Sequence, residues 1–311
     1  MRLAASAVLT YGDTRRTTDL TAGTARAVVG VNGDYFSYDW NGAAVPQGVL
    51  VRGGRVQRVP PGRTPAVGAD DGGRPVTGRV HVTGTVRLAG RTLPVGSVND
   101  DAGTDRADPV AAGTTVGVVT AWLGRARPRR DWELVVRHGV VVASGRRPAL
   151  AGGDVLLAGS GAVGRTLRAA RVGSRATVGY AVVTDAGVRL REAVGSGSVM
   201  LRGGRDLATC DGSGDVSRPR TLLAWNAART RIWLLTVDGR GWESPVSRYG
   251  LTYRQMTEVA RSLGASEAVM VDGGGSTTMA LRGADGVVRR VDAPSGSPQR
   301  EVPDGLVLVS R

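Results

Sequence analysis

The run Val269-Met270-Val271-Asp272-Gly273-Gly274-Gly275-Ser276-Thr277-Thr278-Met279-Ala280-Leu281 restricts the fold more than any other stretch of the chain. Apolar residues lead straight into an aspartate; three glycines, three hydroxyls and a second apolar run follow. A short apolar run bounded by turn residues reads as a buried strand, which puts Asp272 at the strand's C-terminal tip. Gly273, Gly274 and Gly275 let the backbone bend and let a ligand approach its N–H groups without meeting side chains. Successive amides in such a bend form an anion-binding nest. Ser276, Thr277 and Thr278 add hydroxyls that donate or accept. One carboxylate, bare amides and three hydroxyls suit a sugar, a phosphate or both. A glycine-rich hairpin turn is the plainer reading of the same residues, and only their surroundings decide between the two.

Those surroundings repeat the design. Thr252 and Gln255 have capping-box spacing, and Leu251 with Met256 fits a hydrophobic staple, so a helix starts here. Met256, Val259, Ala260 and Leu263 follow the helical period, and Gly264 suits its end. Before the helix, residues 232–237 form an apolar strand that runs into Asp238-Gly239-Arg240. If this strand and the Asp272 strand run parallel, Asp238 and Asp272 emerge at one edge of a sheet. A third apolar run, residues 27–31, ends in Asn32-Gly33-Asp34. Asp34 reads equally well as a turn residue, because Asn-Gly-Asp is itself turn chemistry.

The chain has 311 residues, which allows one large domain or two, and enough length for a real core. Its formal charge of +14 comes entirely from arginine, since the sequence has no lysine. Such a balance normally points to a polyanion partner. Here the arginines are scattered, apart from Arg125, Arg127, Arg129, Arg130, Arg146 and Arg147. A nucleotide bias of the source genome explains the composition better than a binding surface does. Aromatic residues make up 4%, too few for base-stacking platforms, so nucleic acid is not expected as a partner. Cys210 is alone and excludes an internal disulfide. His81 and His138 lie in strand-like surroundings, and with one cysteine they support neither a zinc site nor a Ser-His-Asp triad. Chemistry must rest on carboxylates, arginines and hydroxyls. No run reaches the ~18 apolar residues of a membrane span. Residues 3–10 are too short for a signal-peptide core and read as a strand.

In chain order the expected fold is α+β, or mixed α/β: a large mixed sheet region with few helices and a β-rich middle. Residues 1–75 make an N-terminal part of the catalytic domain, 76–194 the β-rich block, and 195–311 its C-terminal part. A hairpin with a Gly53-Gly54 turn is expected at 49–55. Residues 59–75, rich in Pro, Gly and Arg, read as loop. The middle block alternates as short strands, with a short helix at 162–170, and reads as scaffold without concentrated chemistry. The hairpin pattern returns at 199–205 with Gly203-Gly204, a seven-residue echo of an internal duplication. The chain closes with a loop at 291–304 and a last strand at 306–309.

Taken in order, Asn32-Gly33-Asp34-Tyr35-Phe36, Pro219-Arg220-Thr221, Val237-Asp238-Gly239-Arg240, Gly250-Leu251-Thr252 and Asp272-Gly273-Gly274-Gly275-Ser276-Thr277-Thr278-Met279 resemble the phosphodiester glycosidase family. Pro294-Ser295 and Arg300 also fit, whereas Gln299 stands before that Arg and Asp304 replaces a final Asn. The resemblance implies hydrolysis of a sugar-1-phosphodiester at its glycosidic bond. It also implies a secreted or envelope protein, bacterial in type, whose leader and first strand precede this sequence. Under that reading Arg220 and Arg240 offer forks to the phosphate, helped by the amides of Gly273, Gly274 and Gly275. A carboxylate stabilises an oxocarbenium-like state or attacks it; Asp272 and Asp238 are the first candidates and Asp34 the third. Asn32, Thr277 and Thr278 would hold sugar hydroxyls, and Thr221 and Ser276 join them as substrate-binding residues. No cofactor is expected, although Asp34, Asp238 and Asp272 together would suit Ca²⁺; scarce His and Cys argue against a transition metal. A non-catalytic module that binds anionic envelope polysaccharide would use the same arginines and glycines.

Overall fold

The computed structural model describes residues 1–8, 10–38, 42–100, 108–123, 130–146, 148–208, 216–239, 250–293 and 298–310. Among these residues the fold is built on three principal sheets, with few helices. It is the mostly β, mixed architecture that the sequence predicts. No described helix is long and apolar enough to cross a membrane.

The first sheet joins the two ends of the chain. Its order is Arg2–Ala7, Asp304–Val309, Ala27–Asn32, Met279–Arg282 and Val288–Arg290, with every neighbour antiparallel. The second sheet is the large one. It runs from Val140–Gly145 through the middle block to the Leu50–Arg52 and Arg55–Arg58 hairpin. A single parallel pair within it, Arg91–Val98 with Val116–Thr120, makes the sheet mixed. Residues 59–75 differ from the expected loop. Thr64–Asp70 is a strand and forms a hairpin with Pro75–Leu88, so the sheet continues across residue 75. Proline and glycine obscured this strand, because Val67 and Ala69 bury themselves between neighbouring strands without regular alternation in the sequence. Gly68 must be glycine there: a Cβ would sit 1.8 Å from the Glu192 carbonyl oxygen.

The third sheet has the order Arg205–Asp206, Val199–Arg202, Glu267–Met270, Arg220–Trp225 and Ile232–Val237. Arg220–Trp225 is buried along its whole length, because both of its faces are covered. Leu222 and Ala224 point to one side and pack with Tyr253, Met256 and Ala260 of the Tyr253–Ser262 helix. Leu223 and Trp225 point to the other side, into a core shared with Leu3, Val31, Leu306 and Leu50. Ala268 and Met270 repeat the first face, and Val269 and Val271 the second. The period of two along a strand thus welds the three sheets together around one apolar layer. Burial of that layer is the main term holding the sheets together.

The two glycine hairpins are held alike. Gly53 and Gly54, and Gly203 and Gly204, all have positive φ, the conformation a two-residue hairpin turn requires. The Gly53 N–H donates to Glu192 at 3.0 Å, and the Gly203 N–H donates to Glu267 at 2.8 Å. The next N–H in each turn goes to a carbonyl one residue before that glutamate, Arg191 or Ser266. The echo in the sequence is therefore an echo of structure.

The helix before the glycine run starts and stops as its sequence predicts. Thr252 Oγ1 accepts the Gln255 N–H at 3.2 Å, and Gln255 Oε1 accepts the Thr252 N–H at 2.9 Å. Gly264, at φ 88°, ends it, with the Ala265 N–H reaching back to the Ala260 carbonyl. Thr252→Ala removes half of this reciprocal cap. It should lower stability by about 1 kcal/mol, measured by urea denaturation, with no change in the folded spectrum.

Candidate active site

The expected edge forms. Glu267–Met270 and Ile232–Val237 both run antiparallel to Arg220–Trp225, so they are parallel to each other with that strand between them. Asp272 and Asp238 leave the sheet at the same end, where Arg220 enters it. The Ala27–Asn32 strand belongs to the first sheet, and its end meets this edge through one side chain. Asn32 is 0% exposed. Its Nδ2 donates to the Asp272 carbonyl at 2.7 Å. Its Oδ1 accepts the Thr221 hydroxyl at 2.7 Å and the Thr278 N–H at 3.2 Å. The Asp272 N–H donates to the Gly33 carbonyl at 2.9 Å, and the Val271 N–H to the Thr221 carbonyl at 3.1 Å. Asn32 and Thr221 thus build the junction, and their buried polar groups face each other rather than a ligand.

The glycine run is tighter than an open nest. Gly274–Ser276 is a turn of 3₁₀ helix. The Gly273 N–H donates to Asp272's own Oδ1 at 2.8 Å, and the Gly274 N–H donates to the Pro219 carbonyl at 2.9 Å. Two of the three amides expected to cradle phosphate are therefore engaged within the protein. Ser276, Thr277 and Thr278 are all buried. Ser276 bonds the Asp272 carboxylate, and the Thr277 hydroxyl is buried without a hydrogen-bond partner among the described residues.

Asp272 itself is partly exposed. Burial raises its carboxyl above the ordinary carboxylate value; the Ser276 hydroxyl, the Gly273 N–H and the Arg300 charge pull it back. Arg300 is exposed, and its Nη1 lies 3.5 Å from the Ser276 hydroxyl. Its guanidinium lies over Gly275, where a Cβ would come within 2.8 Å of Nη2 and 2.9 Å of Cζ. A bare glycine face is what lets this cation sit beside Asp272.

The other candidates divide. Arg220 is buried, with its guanidinium carbon 4.5 Å from the centre of the Tyr253 ring. Nε donates to the Leu251 carbonyl and Nη2 to the Val216 carbonyl. The fork expected for phosphate thus holds two loops to the helix start. Asp238 is exposed and accepts the Ala293 N–H at 3.1 Å. Asp34 stands in the bend between the Ala27–Asn32 and Phe36–Tyr38 strands but is only 4% exposed, and lies under the surface with Asp304. Arg240, Pro294 and Ser295 lie outside the described residues. Asp34, Asp238 and Asp272 do not form a shared cation cage: among the described residues no three acid, His or Cys side chains converge as metal ligands.

Two residues were passed over. Tyr35 follows the Asn-Gly-Asp run; its hydroxyl bonds Tyr253 and lies near Asp272 and Arg220. Burial, followed by the nearby Tyr253 and Asp272, pushes this phenol up, so it remains a neutral donor at working pH. Gly197 leaves room for it, since a Cβ there would fall 2.9 Å from the hydroxyl. The single clue to Tyr35 was its place beside Asp34. Arg300 fitted the family's closing segment but carried no expected role, and only the fold brings it to Gly275.

Residues 126–309 match the model of the phosphodiester glycosidase family. The chain belongs to that family. The match covers the Arg220, Asp272 and Arg300 segments but not Asn32 or Tyr35, which the fold supplies from the other end of the chain. No curated protein matches. Among solved structures, a hypothetical protein from Synechocystis is similar at 19% identity and a TM-score of 0.71, over 99% of this chain and 56% of that one. A Burkholderia pseudomallei K96243 protein described as exported is similar at 23% identity and a TM-score of 0.72, over 99% of this chain and 71% of that one. Both likenesses are of fold. The chain thus spans little more than half the length of the Synechocystis protein.

Asn32→Ala should test the junction. It leaves the Thr221 hydroxyl and the Thr278 N–H buried without an acceptor, at about 1–3 kcal/mol each. Chemical denaturation should show a loss of at least about 2 kcal/mol; a change within ~0.5 kcal/mol, as at an ordinary surface site, would remove Asn32 from the centre of this account.

Proposed function

We propose that the protein hydrolyses the glycosidic bond of a sugar-1-phosphodiester, in a glycan outside the cytoplasm or in the cell envelope. The observation that carries this reading is the pairing of a partly exposed carboxylate, Asp272, with an exposed guanidinium, Arg300, across the bare face of Gly275. A sugar-1-phosphodiester has the matching polarity. Its anomeric carbon gains positive charge as the bond breaks, and its leaving phosphate is already negative. Asp272 faces the first need, as nucleophile or as the charge that stabilises an oxocarbenium-like state. Arg300 faces the second, with two N–H groups able to reach two phosphate oxygens. The leaving group is a good one, so a positive partner contributes more than a strong acid. The Gly275 N–H, which has no partner among the described residues, adds a donor on the phosphate side. The neutral Tyr35 hydroxyl stands near enough to Asp272 to orient the carboxylate or a sugar hydroxyl. Arg220 supports the site from below by pinning the loop before it and the helix after it.

The position outside the cytoplasm draws on the family and on the exported neighbour of similar fold. A module that binds anionic polysaccharide without turnover would use the same cation, but would have no need for a carboxylate held against Ser276 and partly desolvated.

Turnover of a synthetic sugar-1-phosphodiester, followed by release of reducing sugar, is the decisive assay. Asp272→Asn keeps size and most hydrogen bonds but removes the charge. It should lower kcat by about two orders of magnitude or more, at least ~2.7 kcal/mol of transition-state stabilisation, with an unchanged melting temperature. Binding without turnover in the wild type would favour the polysaccharide module instead. Arg300→Ala should reduce kcat/KM by about ten- to a hundredfold, the scale of one charge-assisted bond. Since the reaction needs ionised Asp272, and burial raises its carboxyl, the acid limb of the pH–rate profile should lie above the ordinary aspartate value of about 4. An acid limb below that value would assign the essential carboxylate elsewhere.

A further inference from the structure

Beside the Asp272 edge the fold buries two more carboxyls. Asp304, at the start of the Asp304–Val309 strand, is 0% exposed, and Asp34 lies just after the Ala27–Asn32 strand. The backbone joins them: Asp304 Oδ1 accepts the Asp34 N–H at 2.7 Å, and the Asp304 carbonyl accepts the Gly33 N–H at 3.1 Å. The Asp34 carboxyl accepts the Gly48 N–H at 2.6 Å and the Tyr35 N–H as well. Glycines line the cradle. A Cβ on Gly33 would fall 2.1 Å from Asp304 Oδ1; one on Gly48 or Gly195 would fall 2.9 or 2.3 Å from Asp34 Oδ2. The space is shaped to these two side chains.

The second oxygen of Asp304 is the exception. Oδ2 is fully buried and has no hydrogen-bond partner among the described residues. The charges that act on this pair are carboxylates: Asp304 and Asp272 act on Asp34, and Asp272, from the end of the third sheet, acts on Asp304. On the flanking strands, Ala7 pairs opposite Asp304, and Asn32 pairs opposite Gly305. The nearby cation, Arg300, acts on Asp272. Two carboxylates in one dry cradle do not both ionise readily. Asp34 has its oxygens turned to N–H donors, whereas Asp304 Oδ2 has none among the described residues, so ionising Asp304 leaves charge on an oxygen that nothing solvates.

We propose that Asp304 works as a neutral carboxylic acid, a positioning residue that fixes the Asn32-Gly33-Asp34 turn beneath the active-site edge and loosens it when it ionises. Burial, with the charge of Asp272 adding to it, pushes Asp304 up to about 7. Burial, then the charge of Asp304, pushes Asp34 well above the usual carboxylate range, against the pull of its two N–H bonds, so both carboxyls of the cradle resist ionisation. The sign follows from linkage. A folded-state value above the unfolded one of about 4 gives stabilisation that is complete below that value and is lost as pH rises through about 7. The effect on turnover rests on Asp272 being catalytic, whereas the effect on folding does not.

The test is thermal melting of the wild type and Asp304→Asn across pH 5 to 8.5. Asparagine keeps the acceptor for the Asp34 N–H and cannot ionise. The wild-type melting temperature should fall across this range relative to the variant, which should equal or exceed it at the alkaline end. Parallel curves, or a variant that stays the weaker of the two at pH 8.5, would overturn the proposal. If the variant does not fold, wild-type protein carrying ¹³C in its aspartate carboxyls decides. One carboxyl should titrate near neutrality, and titration of every carboxyl below about pH 5 would overturn the assignment. In the phosphodiester assay the alkaline limb should move upward in Asp304→Asn. Turnover lost in both proteins would discredit the substrate and leave the melting result standing.

Discussion

The amide of Asn32 is the interaction on which the rest depends. Three polar groups from three elements converge on it: a carbonyl from the end of one strand, a hydroxyl from the start of the next, and an N–H from the far side of the glycine run. Each of those elements is placed by apolar packing, which is non-directional. Leu223, Trp225, Val269 and Val271 would tolerate small slips against Leu3, Val31 and Leu306. The buried amide does not tolerate them, because a shift of one position leaves donors and acceptors unmatched in a dry place. Asn32 therefore turns a greasy contact between two sheets into a fixed registry. Asp272 inherits its position from that registry.

The same reasoning explains what could be read in the sequence. The helix was legible because its signals are local: Thr252, Gln255 and Gly264 act within a few residues of themselves. The shared edge of Asp238 and Asp272 was legible because a helix between two strands restricts their directions. The glycine hairpins carried their turn chemistry openly. What could not be read was partnership. Asn32 and Thr221 looked like ligand-binding groups, since a polar residue at a strand tip normally meets solvent; here another sheet covers them. Arg220 looked free because nothing local shows that Val216 and Leu251 would offer carbonyls. Arg300 and Tyr35 enter the site from opposite ends of the chain, and no spacing records that. The Thr64–Asp70 strand was hidden by its proline and glycine, which sit where neighbouring strands come close.

The middle block also holds more than alternating strands. Arg58 and Asp100 form a buried ion pair at 4.0 Å, and Glu133 is buried nearby with Arg130, which pairs with Asp108. The cavity that Asp100, Arg130 and Glu133 line holds only about 10 Å³, so the group is packed rather than open to a ligand. Charge here supports the scaffold. A rigid sheet carries the glycine turn, and the exposed arginine and the partly desolvated carboxylate sit where the strands end.

The central claim is that one sugar-phosphate recognition site lies at the Asp272–Gly275–Arg300 edge. A crystal structure of the protein with a sugar-1-phosphate bound tests it most directly. The phosphate should lie within hydrogen-bond reach of Arg300 and the Gly275 N–H, with the anomeric carbon turned toward the Asp272 carboxylate. A ligand seated elsewhere, such as in the groove of about 400 Å³ beside the Thr17–Gly23 helix lined by Asp13, Asp19 and Arg52, would contradict the account.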